Sequence, residues 1–197
     1  MVEEVALATV SKPPSAERRP LKVLFVCTAN ICRSPYMELA TRRLLGEGSG
    51  IAVSSAGTHG FTDRAMSGEM IGGYEPEAAS FRSRRATIEL VEEADLVLTA
   101  EASHRTYLLE ETPGAFRKVF TLGQFAAAAA GLRGDTDAPA GRALIEEIGR
   151  HRSQADRSHD VADPHRKGPD LARACAARIE KLLAIVVPAL RESRVSQ

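Results

Sequence analysis

The 197-residue sequence is poor in cysteine, with only Cys27, Cys32 and Cys175. So few, and an odd number, build no disulfide framework in a chain of this size and favour a reducing compartment. They make no structural zinc site either: Cys27 and Cys32 lack a second ligand pair, and the 5 histidines are not grouped to supply one. Neither sign of charge is in excess, with 26 Lys and Arg against 26 Asp and Glu. Without a net basic field, nothing draws the chain to nucleic acid or to an acidic membrane surface. Arg82, Arg84 and Arg85 form the one tight basic cluster near the middle, which reads as a solvated loop or helix start. No apolar run approaches the roughly 20 residues that a bilayer-spanning helix needs. The first residues carry early acids and no apolar h-region, so no secretory signal is expected and the expected address is cytoplasmic. No internal repeat is visible.

What is present suits one globular domain: 44% hydrophobic and 26% charged residues, over a length that can bury a real core. Residues 1–20, with Pro13, Pro14, Ser15 and the charged run Glu17 to Arg19, are expected to form a disordered tail. Residues 21–191 are expected to be a single domain, and 192–197 a C-terminal tail. Four short apolar runs read as buried strands: 21–26, 51–55, 94–99 and 118–122. Helices are expected at 35–45, 87–93, 101–109, 124–130, 142–157 and 170–190, the last with Asp170 as its cap. Residues 56–86 read as loops with one modest helix, and 159–169 as a loop. No role is legible for 124–159. Strands alternating with helices predict an α/β fold of three layers, a four-stranded parallel sheet with helices on both faces. Ligands in such sheets bind beyond the carboxyl ends of the strands.

At that edge stands CTANICRS, residues 27–34. A loop of successive backbone N–H groups that feeds a helix N-terminus makes a concave anion site. Arg33 adds a planar, permanently charged fork suited to two phosphate oxygens. A thiol at the base of such a cradle is expected to ionise more readily, because the dipoles that hold an oxyanion also stabilise a thiolate. A cysteine at a strand end is by itself usually a small buried hydrophobe. The conjunction of strand, Cys27, five residues, Arg33, Ser34, Pro35 and helix is what makes the nucleophile reading specific.

The stretch VLFVCTANICRSPYME resembles the active-site signature of the low-molecular-weight protein tyrosine phosphatases, a C-x5-R-[ST] motif at the end of the first strand. The resemblance extends to VSSAGT at 53–58, ADLVLT at 94–99 and VADPHRK at 161–167, and so over most of 21–190. It implies a flavodoxin-like sheet and hydrolysis of phosphate monoesters, phosphotyrosine above all, through a cysteinyl-phosphate, with no metal and no cofactor. Carried over by position, Cys27 is the nucleophile and Arg33 the phosphate binder. The amides of Thr28, Ala29, Asn30, Ile31, Cys32, Arg33 and Ser34 line the cradle. The Ser34 hydroxyl donates to the sulfur, and Asn30 holds the loop's shape with Ser55 nearby. Asp163, followed by Pro164, is the expected general acid and base, with Asp160 its competitor. Phe61, His165 and Arg166 are the expected substrate walls. The implied partners are a phosphotyrosine-containing protein, with phosphate or other oxyanions as inhibitors; a monomer or weak dimer is expected.

Three positions depart from the pattern. Ala29 stands where glycine is usual and would be strained at positive φ. Phe81 replaces a histidine of the loop-supporting network, which is then absent or rebuilt. His165 replaces a tyrosine. Cys32, in the same loop as Cys27, could trap it as a reversible disulfide or simply pack under the loop; Cys175 reads as core. Two other functions compete: a thiol-dependent arsenate reductase of the same fold, and a catalytically weak phosphate-binding adaptor.

Overall fold

The computed structural model describes residues 19–132, 138–152, 154 and 157–191. The expected C-terminal tail and most of the expected N-terminal one lie outside them. Four strands are formed: β1 (Leu21–Cys27), β2 (Ile51–Gly57), β3 (Leu96–Thr99) and β4 (Val119–Thr121). All pair in parallel, in the order β2-β1-β3-β4. Alternation between two cores explains why the β1 sequence is apolar without interruption from Val23 to Val26, after Lys22. Leu21, Val23 and Phe25 face one core, and Leu24 and Val26 face the other. The chain leaves β1 to one side toward β2 and returns on the other side as β3. The crevice beyond the carboxyl ends of β1 and β3 is therefore the switch point where such sheets bind ligands.

Seven α-helices are formed among the described residues: α1 (Arg33–Leu45), α2 (Glu75–Ser80), α3 (Ile88–Glu93), α4 (Ala102–Glu111), α5 (Leu122–Leu132), α6 (Gly141–Arg150) and α7 (Pro169–Leu190). Gly46, at φ 67°, ends α1, and its N–H reaches the Arg42 carbonyl at 3.1 Å. Helix α7 buries Cys175, Ile179, Leu182, Val186 and Leu190 in the larger core, where α1, α5 and α6 also contribute. Leu171, at the start of the same apolar spacing, is instead 48% exposed. No helix among the described residues is long and apolar enough to cross a membrane.

Four details differ from the sequence-based expectation. Asp170 does not cap α7: Gly168 holds the cap position at φ 91° with Pro169 behind it, and Asp170 pairs within the first turn with Arg173. Helix α6 stops at Arg150 rather than Arg157. Just beyond, Arg152 turns inward, donates to the Phe116 carbonyl and, at 2.7 Å, to that of Val119, and stacks over Phe116 and Phe120. Leu122, expected to close the fourth strand, begins α5 instead. Arg19 and Pro20, assigned to the tail, are tied to the body. Arg19 grips both oxygens of Asp95 at 3.0 and 2.7 Å, and Arg142 donates to the Arg19 and Pro20 carbonyls.

Candidate active site

Only five residues separate Cys27, the last of β1, from Arg33, the first of α1. So short a loop must curl back on itself, and Asn30 makes the turn at φ 54°, a left-handed conformation that asparagine tolerates. Its side chain then braces the loop from within. The Nδ2 group donates to Ser34 Oγ at 2.9 Å and Ser55 Oγ at 2.8 Å, and Oδ1 accepts the Arg84 N–H at 3.0 Å. The Ser55 hydroxyl in turn donates a hydrogen bond to Glu38 Oε2 at 2.5 Å, and Glu38 pairs with Arg42 on α1. From outside, the Thr58 and His59 N–H groups bond the Cys27 and Thr28 carbonyls at 2.9 and 2.8 Å. Gly57 permits this approach, since a Cβ there would sit 2.7 Å from the Thr28 carbonyl oxygen. Ala29 is not at positive φ, so the strain conditional on that geometry does not arise. Phe81 packs against the core, and the prop under Asn30 is the Arg84 main chain. Among the described residues, no protein acceptor takes the N–H groups of Thr28 to Ser34.

At the floor of the loop, Cys27 Sγ lies 3.1 Å from Ser34 Oγ, and both residues are buried. Arg33 is the largest fully enclosed polar side chain, 2% exposed. Its Nη1 donates to the Val161 carbonyl at 3.0 Å and to the Glu101 carboxylate. Nη2 lies 3.4 Å from Thr28 Oγ1. Nε has no hydrogen-bond partner and sits 3.4 Å from Asp163 Oδ1. Burial works against the guanidinium's charge, but Cys27, Asp163 and Glu101 together hold its pKa above the ordinary arginine value. A buried cation with one donor edge engaged and another open is prepared for an anion.

The two aspartates of the 159–169 loop divide. Asp160 accepts the Ala102 N–H at 2.8 Å and so starts α4, whereas Asp163, half-buried, faces Arg33. Of the expected walls, Phe61 is 60% exposed, beside Gly60, which packs on Ala29. His165 reaches back toward Cys32, its Nδ1 3.8 Å from the sulfur, and Arg166 is exposed at φ 56°. All three cysteines are free thiols. Burial pushes the Cys32 thiol up to about 11, against a Ser67 hydrogen bond that lowers it, and burial pushes Cys175 up to about 12.

Two residues of the site were not anticipated from sequence. Glu101, at the start of α4 and itself partly exposed, supplies the ion pair to buried Arg33. His104, one turn on, is 5% exposed and lies 2.8 Å from Thr28 Oγ1 through Nε2. A third feature is the His59 ring, 4.6 Å from that of Tyr107. The one available signal was position: all follow the carboxyl ends of β2 and β3.

A family model described as low molecular weight phosphotyrosine protein phosphatase matches residues 22–144. The low molecular weight protein-tyrosine-phosphatase Etp of Escherichia coli K12 is 31% identical over 106 residues, 52% of this chain and 70% of that protein. A protein-arginine-phosphatase of Geobacillus stearothermophilus is 32% identical over 126 residues, 62% of this chain and 80% of that one. Among solved structures, a mutant YwlE arginine phosphatase with a phosphorylated active-site serine superposes with a TM-score of 0.66 at 26% identity, covering 88% of this chain and 97% of that one.

Proposed function

The chain belongs to the low molecular weight phosphotyrosine protein phosphatase family, and on that premise we propose that it hydrolyses phosphotyrosine through a phosphate ester of Cys27. The observation that carries the reading is the arrangement around Arg33. A buried guanidinium with an open Nε and a sulfur beside a hydroxyl lie in the floor of one amide-lined loop, and a half-buried carboxyl faces the guanidinium. In the first step the Cys27 thiolate attacks phosphorus, the P–O bond to the aryl group breaks, and Asp163 gives its proton to the departing phenolate. Arg33 and the loop amides bind the three phosphoryl oxygens. In the second step Asp163, now a carboxylate, takes a proton from water as the water oxygen attacks phosphorus. The Cys27–phosphorus bond breaks, the sulfur leaves as thiolate with the Ser34 hydroxyl donating to it, and inorganic phosphate is released.

The neighbour with a phosphorylated active-site serine supports a phosphoryl group carried on the side chain at the matching place. A reducing, cytoplasmic location suits a free nucleophilic thiol. Phosphoarginine is the second reading, favoured by the arginine-phosphatase relatives and by two carboxylates, Glu101 and Asp163, at the one guanidinium. Exposed Phe61 and the adjoining His59 and Tyr107 rings, tilted 52° to each other, supply aromatic surfaces that favour the aryl ester. The deciding assay compares phosphate release from a phosphotyrosine and a phosphoarginine peptide, with Cys27→Ser as control. A faster rate on the tyrosine ester, lost in Cys27→Ser, is expected. Faster turnover of phosphoarginine replaces the first reading by the second, and full activity in Cys27→Ser removes both.

A further inference from the structure

We propose that His104 is a positioning residue that fixes the Thr28 hydroxyl as an oriented hydrogen-bond donor into the anion cradle. The inference rests on the phosphatase reading of the same loop. The Glu101 N–H donates to His104 Nδ1 at 3.1 Å, so Nδ1 is the acceptor nitrogen and the proton of the neutral ring sits on Nε2. Nε2–H therefore donates to Thr28 Oγ1 at 2.8 Å. Arg33 Nη2 approaches the same oxygen at 3.4 Å. A hydroxyl has two lone pairs and one hydrogen. With both lone pairs facing donors, the Thr28 hydrogen is left for an acceptor outside this group. Thr28 is an exposed residue, immediately after the nucleophile and within the loop that wraps the anion. A phosphoryl oxygen supplies that acceptor.

The tautomer holds because the ring stays neutral. Burial first, then the Arg33 charge and His59, bring the His104 pKa down to about 4, against the pull of Glu101 and Asp163 in the other direction. Part of the arrangement is a helix cap, since the Glu101 and His104 side chains each bond the other's backbone N–H at the start of α4. Capping uses Nδ1 and leaves the Nε2 contact across to another element unexplained. A donor held in place before the charge develops is worth more than one that must rotate into line, because no reorganisation accompanies the step.

The test measures p-nitrophenyl phosphate hydrolysis by the full chain carrying Thr28→Val, which keeps the side-chain shape without the hydroxyl, and His104→Phe. Each is expected to lower kcat about tenfold or more, the scale of one hydrogen bond to a charged group. The double variant is expected to be no slower than Thr28→Val, since the two residues act as one unit. Thr28→Ser should regain most of the loss, and so should His104→Gln, whose amide can accept from the Glu101 N–H and donate to Thr28. Thr28→Val at the wild-type kcat overturns the proposal, as does a double variant whose losses multiply to about a hundredfold. If His104→Phe fails to fold, His104→Asn, whose amide can still accept the Glu101 N–H in place of Nδ1 but is too short to reach Thr28, takes its place and should show the same loss; His104→Asn at the wild-type kcat overturns the proposal. Full turnover in Cys27→Ser would instead remove the phosphatase reading beneath the proposal.

Discussion

Replacing Asp163 by Asn removes a proton donor and a charge at once, and the structure says how the two effects separate. As a general acid the carboxyl group is worth roughly 10²–10⁴-fold in rate. As a charge it lies 3.4 Å from Arg33 Nε and is 41% exposed. At that separation an unscreened pair at an effective dielectric of about 20 would be worth about 5 kcal/mol. Exposure to water reduces the net value to about 1 kcal/mol, as for other solvent-facing ion pairs. Losing that pair frees Nε for an incoming anion, so affinity for vanadate should hold or rise by up to about fivefold. The two observables then move apart: kcat falls by orders of magnitude while the inhibitor binds at least as well. The leaving group gives a second axis. A p-nitrophenolate departs with little proton help, whereas phenolate, with the tyrosine-like pKa of about 10, needs it. The loss in kcat/KM, which reports the step in which the aryl group leaves, should therefore be larger on phenyl phosphate than on p-nitrophenyl phosphate, measured side by side at low substrate. Equal losses on both esters, or weaker vanadate binding, would refute the assignment of Asp163 as the acid.

Two further outcomes are expected. The His104 pKa, lowered by burial from 6.5 to about 4, makes the unfolded chain bind a proton that the folded chain refuses. Its stabilising share is thus complete above about pH 6.5 and is lost as the pH falls toward 4, to the extent of about 3 kcal/mol. Urea titrations between pH 7 and 4 should show wild type losing about that much more than His104→Gln, and parallel pH curves would contradict it. Gly57→Ala drives a methyl group to 2.7 Å from the Thr28 carbonyl oxygen and 3.0 Å from Ala29 and Asn30 main-chain atoms. Because backbone rather than a flexible side chain must yield, it should cost about 1–3 kcal/mol and lower kcat together; destabilisation with unchanged kcat would separate the loop from the strand.

The parts of the site that were legible in sequence are those the chain holds contiguously. Strand β1, the loop and α1 follow one another without interruption, so Cys27, Asn30, Arg33 and Ser34 could be assigned to one loop from spacing and resemblance. Asp163 lies 130 positions from Arg33 (163 − 33), and by itself Asp-Pro is a common turn; the resemblance singled it out. Glu101 and His104 were missed for a physical reason. An acid at a helix start reads as a cap, and a histidine three residues later reads as surface. Only the parallel pairing of β1 with β3 brings the start of α4 against the loop after Cys27. Asp170 misled in the opposite sense: its residue type suits a cap, but Gly168 and Pro169 had already set the backbone that starts α7. Arg152 likewise had no sequence cue, because its role depends on two phenylalanine rings from other elements.

The two carboxylates on Arg33 are not equivalent, and their difference bears on how the proposed cycle runs. Glu101 and the Val161 carbonyl hold the same nitrogen, Nη1, so that edge of the fork is committed to the protein. A committed edge fixes the plane of the guanidinium before substrate arrives, which removes an ordering cost from binding. Asp163 engages only Nε, beyond hydrogen-bond geometry and at the open side of the loop. A phosphate dianion competes for Nε with that carboxylate rather than with Glu101. Displacing the looser partner would leave the carboxyl group of Asp163 at the cleft mouth, where the leaving oxygen departs. In this scheme the arginine that binds phosphate also decides where the acid stands, and Glu101 is what keeps the arginine from following its substrate out of line.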